Sequence, residues 1–126
     1  MTDRDKTVLV IEDEEAVRKL TVRILNKLGY MTVTACDGCE AIEIFQEQAN
    51  NIDAAIVDMF MPRMNGPDTI TGLKQIKPDL PVRLVTGFGW DQHMKEMLAF
   101  DENAVCLLNK PYTLNALETK LRELLP

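Results

Sequence analysis

Basic residues are the first thing this chain has little of. Its 126 residues carry 14 Lys and Arg against 20 Asp and Glu, a formal net charge of −6 at pH 7, with a pI near 4.8. The cations are scattered and form no block, which argues against direct nucleic-acid binding, since neutralising a phosphate backbone needs a basic face. No apolar stretch approaches the roughly 20 residues needed to span a bilayer. The N-terminal MTDRDK runs straight into TVLVI without a signal-peptide profile, so a cytoplasmic protein without a membrane role is expected. Histidine occurs once, at His93, away from the acids at the strand ends, which leaves it a surface or half-buried role. Cysteine occurs three times, an odd number that does not suit a disulfide-stapled secreted domain. Cys36-Asp37-Gly38-Cys39 is nonetheless a C-x-x-C, a spacing that can signal thioredoxin-like redox chemistry. That reading leaves the acids elsewhere in the chain unexplained. The two thiols are therefore expected to be small buried or half-buried residues that happen to lie three apart.

What the chain does have is a rhythm of short β-rich runs and helical runs. Hydrophobic residues make up 46% and charged residues 27%, as in a globular protein able to bury one core. Thr7–Ile11 is a continuous apolar run of the kind covered on both faces. A helix follows, with Val17, Leu20, Ile24 and Leu28 on one stripe and Gly29 as its stop. Met31–Ala35 reads as strand two, and Gly38 precedes a helix burying Ala41, Ile42, Phe45 and Ala49. Ile52–Val57 reads as strand three. Gly66-Pro67-Asp68 opens a helix continued by Ile70, Leu73 and Ile76, with Pro78 beyond it. Pro81–Val85 is strand four, ending at Thr86. A helix is expected from about Trp90 to Phe100, where Trp90, Met94, Met97 and Leu98 form an apolar stripe. Its reading is mostly core, and any exposed surplus would suit partner docking. Ala104–Leu108 is strand five, and Leu114, Leu117, Leu121 and Leu124 mark a last helix.

Strands alternating with helices imply a parallel sheet covered on both faces, with any ligand beyond the carboxyl ends of the strands. Those ends hold unusual company. Glu12-Asp13-Glu14-Glu15 come after strand one, Asp58 after strand three, Thr86 after strand four and Asn109-Lys110-Pro111 after strand five. Singly, each has a plain explanation: acids favour a helix start, Asp ends strands, and a lysine suits a solvated loop. Together they do not, because carboxylates converging on one edge repel, and a hard cation such as Mg²⁺ is the usual remedy. A carboxylate beside a metal, an ammonium and a hydroxyl is equipped to accept a phosphoryl group.

The stretches VLVIEDE, IVDMFMPRMNG, LVTG and NKP, in that order, resemble those of response-regulator receiver domains from about Thr7 to Leu125. The resemblance implies an α/β, three-layer, flavodoxin-like fold: a five-stranded parallel sheet of order 2-1-3-4-5 with five helices. It implies a single domain over 1–126, core about 7–125, with no effector domain in this chain. It also implies that Asp58 accepts a phosphoryl group from a histidine kinase or phosphotransfer histidine. Asp13 then matches the direct metal-binding acid, and Glu12 its partner, reaching Mg²⁺ through water. The main-chain carbonyl of Phe60 matches a further ligand, Thr86 the switch hydroxyl and Lys110 the phosphate-pairing lysine. The implied output is a downstream protein or a covalently linked kinase, from a monomer or weak dimer.

The chain departs from the pattern in three respects. Leu107 stands where many receivers carry Tyr or Phe, which puts the usual threonine–aromatic coupling in doubt. Asn103-Ala104-Val105-Cys106 lacks the acidic pair common in DNA-binding regulators. Phe60 and Phe88 occupy the positions two after the acceptor and two after the switch hydroxyl, where polar groups would orient a hydrolytic water. Two other readings compete: a receiver-like interaction module that never takes phosphate, and a phosphatase with an aspartate nucleophile. The first should have lost a site residue, and none is lost. The second usually needs an acid two residues after the nucleophile, where this chain has Phe60.

Overall fold

β1 (Thr7–Ile11) is buried along almost its whole length, because sheet neighbours flank it and helices cover both its faces. Val8 and Val10 enter one core with Ile24, Leu25 and Tyr30, on the side of α1 (Glu15–Lys27). Leu9 and Ile11 enter the other core, with Ala41 and Phe45 of α2 (Gly38–Gln48) and Ile70 and Leu73 of α3 (Gly66–Ile76). The computed structural model describes residues 6–58, 61, 63–86, 105–107, 115 and 119, with the backbone alone at 84–86 and 105–107. The two-sided burial explains why β1 is an unbroken apolar run rather than an alternating one. Each fully buried side chain such as Phe45 or Leu9 contributes about 1.5–3 kcal/mol.

β2 (Met31–Ala35) and β3 (Ala54–Asp58) flank β1, and β4 (Val82–Thr86) and β5 (Val105–Leu107) lie beyond β3. All pairs are parallel and the order is β2-β1-β3-β4-β5, as the receiver resemblance implies. β2 is an edge strand and correspondingly wetter, with Met31 61% exposed. Asn115 and Thr119 are helical and exposed, within the segment read as the last helix. The expected helix from Trp90 to Phe100 lies outside the described residues.

Several boundaries differ from the sequence reading. β3 begins at Ala54 and includes Asp58, instead of running from Ile52 to Val57. Ile52 is buried but precedes the strand, after a short 3-10 turn at Ala49–Asn51. β4 starts at Val82; of β5, Val105–Leu107 are described, within the expected Ala104–Leu108. Gly38 is the first residue of α2, and the N-cap is Asp37, whose side chain accepts from the Glu40 amide at 2.8 Å. Such a cap contributes about 1 kcal/mol. Ile42 and Ala49 are only half-buried, and Ile76 closes α3 at 37% exposure. Gly29 (φ 99°) ends α1 in the left-handed conformation that glycine adopts without strain.

Candidate functional site

The β1–β3 register sets Ile11 beside Val57, so the residues immediately after them, Glu12 and Asp58, are neighbours on the carboxyl edge. Asp58 remains within the ladder, paired with Val85, and is 4% exposed. Glu12 is 5% exposed, and its amide donates to the Ala35 carbonyl at 3.1 Å. Asp13 is exposed beside them. One carboxylate oxygen from each of Glu12, Asp13 and Asp58 lies within 4.8 Å of the others. Three oxygen donors, two of them buried, match the hard, oxygen-seeking character of Mg²⁺, which takes few protein carboxylates and keeps several waters.

The other two acids of the run serve different ends. The Glu14 amide donates to Glu12 Oε2 at 3.4 Å. Glu15 opens α1, exposed, and pairs with Lys19 at 2.9 Å. The Lys19 hydrogen bond, then its charge and that of Arg18, hold the Glu15 carboxyl below its ordinary range. Arg18 carries no sequence signal of a role at the site. Its Nη1 donates to the Glu12 carbonyl at 3.0 Å, so α1 grips the loop that carries two of the three acids.

Thr86 ends β4, and its Cα partner across the β4–β5 ladder is Leu107. The position of the expected switch hydroxyl and that of the missing aromatic are thus direct backbone neighbours. The side chains of Thr86 and Leu107 lie outside the described residues, as do Phe60, Phe88, His93 and Lys110.

The cysteines are not where the sequence put them. Cys36 and Cys39 are both free and exposed, not buried or half-buried. The turn, not packing, decides this: Asp37 and Gly38 are buried where α2 begins, and Cys36 and Cys39 on either side of them are left outside. The Cys36 sulfur lies 3.4 Å from Glu40 Oε2. Asp37, the N-cap of α2, is fully extended (φ −158°, ψ 173°) between Cys36 and the helix that holds Cys39. Replacing both with Ser is expected to leave phosphoryl uptake unchanged. Ready disulfide formation in mild oxidant, accompanied by altered uptake, would contradict this.

Asp37 has a second bond that the sequence did not announce: its Oδ2 forms an ion pair with Arg63, from the loop between β3 and α3. The cap itself is local, between Asp37 and the Glu40 amide three residues later. A partner 26 positions away is not.

The family model for the response regulator receiver domain matches residues 8–122. The chain belongs to this family. It is 36% identical over 119 residues to the sensor kinase CckA of Brucella abortus, a match covering 94% of this chain and 12% of that protein. It is 33% identical over 118 residues to the response regulator MprA of Mycobacterium sp. (strain KMS), covering 94% of this chain and half of that one. The solved receiver domain of the hybrid histidine kinase CckA superposes with a TM-score of 0.74 at 31% identity, covering 95% of this chain and 99% of that one. The chain thus spans only a part of the full-length CckA and MprA relatives. It is a two-component signalling receiver of the kind found in both response regulators and hybrid kinases. Among the described residues, no helix is long and apolar enough to cross a membrane.

Proposed function

We propose that Asp58 is the residue of this receiver that takes the phosphoryl group, with Glu12 and Asp13 holding Mg²⁺ beside it. One observation carries the reading: a carboxylate 4% exposed at the tip of the central strand, grouped with two further acids. A structural turn aspartate has no need of such neighbours, which raise the cost of keeping it charged.

An Asp58 carboxylate oxygen forms the new bond to phosphorus as the phosphorus–nitrogen bond to a phosphohistidine breaks. The imidazole leaves with the bonding electron pair and takes a proton from solvent. Bound Mg²⁺ would supply charge neutralisation for the phosphoryl oxygens. Glu12, Asp13, Asp58 and the Phe60 carbonyl would hold it. By the family resemblance, Thr86 bonds a phosphoryl oxygen and Lys110 pairs with another. The donor is a histidine kinase or phosphotransfer domain in the cytoplasm, and the product biases contacts with a downstream protein or a covalently linked kinase. The neighbouring positions of Thr86 and Leu107 support a switch running through the β4–β5 ladder, with leucine in place of the usual ring. The test is incubation with acetyl phosphate, with and without Mg²⁺, and then intact mass. One added phosphoryl group that needs Mg²⁺ is expected; none in either condition would overturn the reading.

Lifetime is a further consequence. Phe60 and Phe88 bring no polar group to orient a water in line with the phosphorus–oxygen bond, so slow autodephosphorylation is expected. Once the donor is removed from a loaded chain, Phe60→Asn with Phe88→Glu should speed decay about tenfold or more, by the weight that in-line positioning carries. An unchanged decay would show that the rings do not shield the site.

A further inference from the structure

We propose that Arg63 is a positioning residue for the Asp58 site, its ion pair with Asp37 holding in place the segment that leaves Asp58. The inference rests on Asp58 being the acceptor. Arg63 lies five positions after Asp58, in the loop that leads into α3. Its backbone is left-handed (φ 67°), the only such non-glycine among the described residues. A side chain with a Cβ adopts that conformation at a cost, and persists there only when its surroundings hold it. What holds it is Asp37, which is 3% exposed. Asp37 divides its two oxygens between two tasks: Oδ1 caps α2 through the Glu40 amide, and Oδ2 takes the Arg63 guanidinium.

The corner around this pair leaves little room for adjustment. A Cβ on Gly38 would clash with Thr69 Oγ1 and come within 3.0 Å of Met64 Sδ, so α2 begins directly against the residue after Arg63 and the first turn of α3. Asn65 caps α3 by accepting from the Asp68 amide at 2.8 Å. Asp58 is held by the β3–β4 ladder, and Arg63, five positions later, by the ion pair. The Phe60 carbonyl, a metal ligand in the proposed site, belongs to that span. The Arg63 side chain is 69% exposed, and pairs with so wet a partner add little to global stability. The clamp's importance is local.

Charge and position make opposite forecasts, which allows a clean test. Arg63→Gly keeps the left-handed backbone and removes a cation near the acids. Asp37→Asn keeps a good N-cap and removes an anion. If the two residues acted only through their charge, Arg63→Gly would tighten Mg²⁺ binding and Asp37→Asn would weaken it. If they position the loop, both weaken it. The measurement is the Mg²⁺ concentration giving half-maximal phosphorylation by acetyl phosphate, with a thermal melt as the control for folding. Each variant is expected to raise that midpoint about threefold to tenfold, and the double variant no further than the larger single change, because both remove one interaction. Midpoints that do not move, move in opposite directions, or add in the double variant would overturn the inference and leave the assignment of Asp58 standing. A parent chain that accepts no phosphoryl group would instead sink that assignment, and the inference with it. Should Asp37→Asn fold poorly, the direction of change in Arg63→Gly alone decides.

Discussion

Asp58→Asn is expected to take up no phosphoryl group from acetyl phosphate in Mg²⁺, a loss of about a thousandfold or more in rate, because the amide oxygen is a far weaker nucleophile than a carboxylate. The change is nearly isosteric, so the strand should tolerate it. Asp58 pairs with Val85 through its backbone, and that ladder does not depend on the side chain. The melting temperature should stay within a few degrees of the parent or rise, since one of three crowded carboxylates has been neutralised. Loss of labelling with loss of the fold would say nothing about chemistry, which is why the melt and the labelling are read together. Undiminished labelling would place the acceptor elsewhere.

Asp13→Asn should act on the metal and on stability in opposite senses. Mg²⁺ affinity is expected to fall by about tenfold or more, given that even indirect ligand partners commonly cost 10–100-fold. Stability without metal is expected to rise. Two unit charges 4.8 Å apart, the upper limit for the cluster's ligand atoms, repel by about 3 kcal/mol at an effective dielectric near 20. Asp13 is exposed, so solvent screening reduces this to about 1 kcal/mol. Titration of Mg²⁺ by calorimetry, with thermal melts in a chelator, checks both halves. Unchanged affinity would remove Asp13 from the site.

Much of this architecture was legible because it is local. The two-sided burial of β1 showed as an unbroken apolar run, and Gly29 marked the end of α1. The periodicity indicated a parallel βα fold; the strand order came only with the family resemblance, since local patterns do not say which strands lie side by side. β3 was misplaced by one or two residues at each end for two local reasons. Ile52 is buried and apolar without being in the strand, and an acid at position 58 looked like a terminator although its backbone still pairs. The acids of the site could be found because each sits at or just past the carboxyl end of a strand. Their supports could not. Arg18 reaches back to a carbonyl across a helical turn and a loop, and Asp37 meets Arg63 only once two separate loops have been folded together. The exposure of the two cysteines likewise depends on which residue of the turn faces inward, and composition carries no trace of that.

Residence of the phosphoryl group on Asp58 can be read chemically, at the level of the single side chain. The chain is loaded with acetyl phosphate in Mg²⁺ and treated with borohydride, which reduces an aspartyl phosphate to homoserine, and the peptides are sequenced by mass. Homoserine is expected at position 58 and nowhere else. Conversion at Asp13 or at any other acid, or phosphate found instead on a hydroxyl or on His93, would contradict it.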